Sequence, residues 1–131
     1  MMKNNTDTSS SEGGEYVRNI GTPRYSSPEN LRGELLNVKS HMMSDIYSYS
    51  LVVFEVICEE EPFYNLNYQQ LKKQVGELRL LPEIPKDISI RISPSVSLLM
   101  KKCWDRDARK RPTAKQFVDQ ALRIDHLYEQ N

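Results

Sequence analysis

The stretch from Asp45 to Cys58 limits the possible folds of this chain more than any other. Ile46, Tyr47, Tyr49, Leu51, Val52, Val53, Phe54, Val56 and Ile57 would point in nearly all directions around a helix. A helix apolar on every side belongs at the centre of a fold, so the pattern predicts a core helix with Ser44 as its N-cap. Its β-branched content would also suit a buried strand, and its length favours the helix.

Three more helical patterns follow. Tyr68 to Leu78 sets Tyr68, Leu71, Val75 and Leu78 on one face, with Gln69, Gln70, Lys72, Lys73 and Gln74 largely elsewhere, as on a surface helix. Pro82 and Pro85 disfavour helix at the residues before them and suit an extended connector. Ser93 then offers an N-cap and Pro94 a first helical residue, with Val96, Leu99, Met100 and Cys103 at i, i+3, i+4 and i+7. The last helix opens at Thr113 with Gln116 three residues on, a capping box, and carries Phe117, Ala121, Ile124 and Tyr128 along one face. No repeat and no strand pattern stands out, so the expected class is mostly α.

Residues 1 to 19 are polar, Ser-rich and without periodicity, and are expected to be a mobile tail to a single domain at residues 20 to 128. Lys plus Arg and Asp plus Glu are equal at 18 each, so no overall field favours nucleic acid or an anionic membrane. The run Leu51 to Phe54 is too short to span a bilayer, and no signal-peptide pattern precedes it. Cys58 and Cys103 lie far apart outside any metal motif and are expected to be buried thiols in a reducing, cytoplasmic setting. His41 and His126 lack partners at metal or triad spacing and are expected to face solvent. Trp104 is expected to be a core anchor that also hydrogen-bonds locally.

A set of short motifs adds a family resemblance. Gly21-Thr22-Pro23-Arg24-Tyr25-Ser26-Ser27-Pro28-Glu29 resembles the end of a protein kinase activation segment, with Ser27 in place of the Ala of an Ala-Pro-Glu triplet. Ser44-Asp45-Ile46-Tyr47-Ser48-Tyr49-Ser50 resembles the start of the kinase core helix, with Ser50 in place of a Gly, and Glu60-Glu61-Pro62-Phe63 resembles its end. Lys102-Cys103-Trp104-Asp105 and Arg111-Pro112-Thr113 resemble the Cys-Trp and Arg-Pro signatures flanking the last two helices of tyrosine kinases and tyrosine-kinase-like kinases. In that order, over about residues 16 to 128, they identify the chain as similar to the helical C-terminal lobe of a tyrosine-kinase-like kinase.

The resemblance implies roles for particular residues. Glu29 and Arg111 would form an ion pair tying the activation segment to the base of the lobe. Thr22, Pro23, Arg24 and Tyr25 would line the wall that meets a protein substrate, in a form that leans to Ser/Thr specificity. Asp45 matches the core-helix Asp that accepts backbone hydrogen bonds from the catalytic loop; as an ordinary acidic residue it would instead sit near a helix N-terminus, stabilised by the macrodipole.

The resemblance also implies what is missing. The Gly-rich loop, the ATP-binding Lys, the catalytic Asp with its Asn and the metal-binding Asp before Phe-Gly cannot be found in the sequence. The expectation is therefore a truncated lobe without N-lobe or catalytic loop: ATP and Mg serve the parent family, and this chain has no catalytic, cofactor-binding or metal-binding residues of its own. Its expected partners are protein substrates or other kinases, with no nucleic acid and no membrane. The alternative function is a non-catalytic interaction module using the Tyr68 to Leu78 face and the Pro82/Pro85 connector.

Overall fold

A long helix organises the fold, and its start is set by Asn37. The computed structural model describes residues 9–11, 14–17 and 22–129, with side chains described from Thr22 to Ile124. Helix α2, Val38–Cys58, begins seven residues before Asp45, and the Asn37 side chain accepts from Ser40 N at 2.8 Å as its N-cap. Ser44 is therefore not a cap but a fully buried residue inside the helix. The helix extends this far because residues 38 to 44 contain neither Gly nor Pro to stop it.

The apolar girdle of α2 is not buried on every side. Tyr47, Leu51, Phe54 and Cys58 recur at helical spacing on the buried face. Met42, Asp45, Tyr49, Val52 and Val56 form the opposite stripe, exposed along its length, with Val56 at 74%. An all-round apolar pattern states what a helix could bury, while its neighbours decide what it does bury. Such a stripe should bind a hydrophobic dye under native conditions. Val52→Lys with Val56→Lys should remove most of that fluorescence while changing stability by less than about 0.5 kcal/mol per site; a native chain that leaves the dye dark would contradict the exposed stripe.

Helix α5, Pro94–Cys103, packs Met100 and Cys103 against α2, and Trp104 meets the Phe54 ring edge-on at 6.0 Å. Ser93 caps this helix and Pro94 opens it, as the sequence reads. Helix α6, Ala114–Glu129, starts with the reciprocal Thr113/Gln116 hydrogen bonds of a capping box and lays Phe117 edge-on to Tyr49 at 5.4 Å. Burial leaves Trp104 Nε1 without a partner among the described residues, so this ring packs without the expected local hydrogen bond. His41 is half-buried with its Nδ1 unpartnered rather than facing solvent, and the His126 side chain lies outside the described residues. Both cysteines are free and buried; burial pushes the Cys103 thiol up to about 11.

A second, smaller core forms where α1, Pro28–Leu31, meets α3, Tyr68–Leu71, and the π-helical turn Lys72–Glu77 that continues it. Leu31, Leu71 and Val75 are buried there. Gly76 permits the approach, since a Cβ on it would lie 3.1 Å from Leu31 Cβ. The expected single face is only half realised: Tyr68 and Leu78 are exposed. For Leu78 the cause is the π turn, whose wider i→i+5 closure, seen in Leu78 N donating to Lys73 O at 3.0 Å, rotates it off the face that Leu71 and Val75 share, while Tyr68 stands ahead of the turn as the first residue of α3. After Pro85 comes a short helix, α4, Lys86–Ser89.

The described residues are mostly helical, with one small antiparallel sheet that the sequence does not announce. β1, Ser9–Ser11, pairs with β2, Gly14–Val17, which pairs with β3, Leu36–Asn37, placing Val17 opposite Leu36. Strands of two to four residues are too short to show the period-two alternation by which a strand is read. The remainder of residues 1 to 19, and with it most of the expected tail, lies outside the described residues. No described helix is long and apolar enough to cross a membrane.

Candidate functional site

Two contacts hold the segment Thr22 to Leu31 to the body of the fold, one at each end. At its C-terminal end Glu29 lies in the first turn of α1, after Ser27 as N-cap and Pro28 at the first helical position. Arg111 reaches it from the loop before α6. Arg111 NH1 donates to Glu29 Oε2 at 2.8 Å and NH2 to Oε1 at 2.9 Å, a bidentate fork between groups 82 residues apart in sequence. Two further donors are engaged, Nε with Asp105 O at 3.0 Å and NH1 with Met43 O at 3.2 Å. The guanidinium stands 5.1 Å over the Tyr47 ring.

Both charges are out of water: the Arg111 side chain is fully buried and that of Glu29 is 9% exposed. Burial alone would push the Glu29 carboxyl up, but the hydrogen bonds and charge of Arg111 outweigh it and hold the carboxyl below its ordinary value. The Tyr47 hydroxyl below is pushed well above its ordinary value by burial, so it stays neutral throughout the physiological range.

At the N-terminal end, Pro23–Tyr25 forms one 3₁₀ turn, closed by Tyr25 N donating to Thr22 O at 3.1 Å. Arg24 does not project from it as a free cation. Its guanidinium donates to the carbonyls of Pro62, Phe63 and Leu66, at 3.3 Å to Pro62 and 3.0 Å to Leu66, and stands 3.5 Å from Glu61. The loop that receives it is bent to suit, with Glu59 and Phe63 in left-handed backbone at φ 54° and 52°. Tyr25 donates to Glu55 Oε2 at 3.0 Å on α2, and partial burial with that bond raises its hydroxyl above the ordinary value. Thr22 is exposed at the lip of the turn.

Between the two fastenings, the buried Ser27 and Ser44 hydroxyls hydrogen-bond each other, and Asn30 Nδ2 donates to Ser44 Oγ at 2.8 Å. A serine in the place of the motif's alanine thus finds a hydroxyl partner on α2 and leaves no orphaned polar group. Asp45 is brought to none of these residues. It is the eighth residue of α2 and exposed, so the macrodipole reading fails, because that effect fades within the first turn. Nothing in the sequence announces the Arg24 clasp: backbone carbonyls are the same in every residue, and no side-chain pattern marks which loop will offer three of them.

The arrangement is a short extended-to-3₁₀ ledge pinned at both ends to a helical base. A family model described as the protein kinase domain matches residues 4–122 of the chain. The chain belongs to the protein kinase family. Among curated kinases it is 33% identical over 99 residues to serine/threonine-protein kinase CTR1 of Arabidopsis thaliana, covering 76% of this chain and 11% of that protein. It is 33% identical over 105 residues to the dual specificity protein kinase shkA of Dictyostelium discoideum, covering 79% of this chain and 18% of that one. It is 28% identical over 99 residues to a protein of the same organism described as "Probable serine/threonine-protein kinase drkC", covering 76% and 12%. This kinase sequence therefore spans less than a fifth of the length of each of these relatives.

Proposed function

We propose that this chain supplies the substrate-facing ledge and helical base of a tyrosine-kinase-like protein kinase that phosphorylates Ser or Thr hydroxyls in protein substrates. The observation that carries the reading is the double fastening of Thr22 to Leu31, through Arg24 at one end and Glu29 with Arg111 at the other. A wall against which a peptide is positioned must keep its shape when the peptide arrives, and bonds made by two immobilised guanidinium groups provide that. Thr22 at the lip and the Pro23–Tyr25 turn behind it are the surface assigned to the substrate. Asp45, exposed on α2, is assigned to the catalytic loop of a complete kinase domain.

The residues present do not fit ATP or Mg. The sequence has no Gly-rich loop to cover the phosphates and no Asp-Phe-Gly to supply a metal-binding Asp. Calorimetric titration of the 131-residue chain with ATP·Mg should give no saturable heat, and one-site binding at about micromolar strength would overturn this assignment. The substrate reading has its own test. A chimera carrying residues 21 to 123 in place of the matching segment of Arabidopsis CTR1 should phosphorylate serine and threonine peptides in preference to tyrosine peptides. A folded but inactive chimera, or one that prefers tyrosine, would refute it.

A second reading, a non-catalytic module that binds other proteins, draws on the surface beyond the ledge. Tyr64, Tyr68, Leu78, Leu80 and Leu81 are exposed around the α3 end and the connector, beside a cleft of about 270 Å³ lined by Phe54, Phe63, Pro82 and Pro85. An inactive chimera that still captured CTR1 substrates would favour it.

A further inference from the structure

Behind the Glu29–Arg111 pair lies a second concave surface, a cleft of about 410 Å³ between the turn after α1, the segment following the π turn and the loop before α6. Four arginines line it, Arg32, Arg79, Arg106 and Arg109, with three carboxylates, Glu29, Glu34 and Asp107. Each carboxylate is already matched. Arg111 holds Glu29, Arg32 holds Glu34 at 2.7 Å, and Arg109 holds Asp107 at 3.1 Å. Two positive charges are left, on Arg79 and Arg106, neither within 4.0 Å of a carboxylate among the described residues.

Their placement is built by the backbone. Arg79 sits in the left-handed region at φ 58°, a conformation that a residue with a Cβ adopts only where its surroundings impose it. The imposing contacts flank it: Leu80 N donates to Gln74 O at 2.8 Å, and Arg106 Nε donates to the Arg79 carbonyl at 3.2 Å. That last bond orients the Arg106 fork while leaving its two terminal nitrogens without an acceptor among the described residues. A strained arginine and an oriented arginine thus both line one cleft, joined by the bond from Arg106 Nε to the Arg79 carbonyl.

We infer that this cleft binds a phosphate monoester carried on a protein side chain, phosphoserine or phosphothreonine. A phosphomonoester brings a charge of about −1.5 to −2 and three acceptor oxygens, which matches two guanidinium forks in both charge and donor number. A carboxylate would leave one fork unmatched. A nucleic-acid backbone fits poorly, because the two unmatched charges line a single cleft and not a track that a run of phosphates could follow. The cleft also has room beyond a phosphate group for the residues that carry it. The inference does not depend on the proposed substrate ledge, which uses other residues.

The test is fluorescence anisotropy of the 131-residue chain at fixed ionic strength, with a labelled phosphoserine peptide of neutral flanking sequence and its unphosphorylated counterpart. The phosphorylated peptide should bind at least about tenfold more tightly, and Arg79→Gln or Arg106→Gln should each weaken it by about tenfold or more. Arg106→Lys should lose most of that affinity, since an ammonium keeps the charge and not the fork. Lys101→Gln with Lys102→Gln, which removes charge from α5 instead, should change it by no more than about twofold. Equal loss in the lysine variant would reduce the effect to bulk charge and overturn the site. Inorganic phosphate that binds as tightly as the peptide would overturn the protein-borne source. Because Arg106 also supports the Arg79 turn, the unmutated chain supplies an independent readout: the Nε–H resonances of Arg79 and Arg106 should shift on adding the phosphopeptide, and unmoved resonances would overturn the proposal whatever the variants do.

Discussion

Glu29→Ala is expected to destabilise the chain by about 3 to 5 kcal/mol, and Arg111→Ala by a similar amount, because either change strands a buried charge. Much of the stability of a small domain would go with either one. The double replacement should cost clearly less than the sum, since it removes both charges together and leaves only the carbonyls of Met43 and Asp105 without their donor. Urea unfolding followed by circular dichroism on the four proteins gives the coupling directly. Single costs under about 0.5 kcal/mol with no coupling would make the two residues ordinary surface charges, at odds with their burial.

The same pair predicts a pH dependence. Arg111 depresses the Glu29 carboxyl in the folded chain below its ordinary value of 4.5, so the folded state binds this proton less readily than the unfolded one. Its contribution is complete above the unfolded value and is lost as the pH falls through the lower, folded value. In Glu29→Gln that portion of the acid-induced loss of stability should be missing.

Tyr47 should separate packing from hydrogen bonding more sharply than any other core residue. Tyr47→Ala is expected to cost about 3 to 5 kcal/mol, the range for losing a buried aromatic side chain with the cavity it leaves. Tyr47→Phe should be neutral or mildly stabilising, within about 1 kcal/mol, because the hydroxyl is buried without a partner among the described residues and removing it relieves a desolvated polar group. The ring face beneath Arg111 is kept in Phe and lost in Ala, so the Ala variant should also weaken the Glu29–Arg111 coupling. Denaturant midpoints of the two variants settle the matter, and a Phe variant less stable by more than about 2 kcal/mol would mean that the hydroxyl has an acceptor after all.

Much of the helical order was legible in the chain itself. Ser93-Pro94 and the Thr113/Gln116 box lie where the sequence puts them, because a cap is a local bargain between one side chain and amides two or three residues away. The helical spacing of apolar residues in α5 is equally local, and Leu99, Met100 and Cys103 are buried as spaced. Where two local devices compete, sequence does not say which prevails. Asn37 caps α2 as well as any serine could, and Ser44, read as the cap, became an interior partner of Ser27. The π turn after Leu71 shifted the face of the following residues without any residue type to announce it.

The candidate site divides along the same line. The kinase resemblance implied Glu29 and Arg111 as partners and Thr22 through Tyr25 as a substrate wall, whereas composition and periodicity alone point to neither. Sequence by itself determined the helical class, the caps of α5 and α6, and which side chains could ionise or donate. Tertiary structure alone decided that the fork meets its carboxylate across 82 residues, that Arg24 is engaged by three carbonyls, that one stripe of an all-apolar helix stays exposed, and that Arg79 and Arg106 line one cleft. The physical reason is that local preferences are settled within a turn or two of the chain, whereas burial and desolvation depend on which distant surface arrives to cover a group.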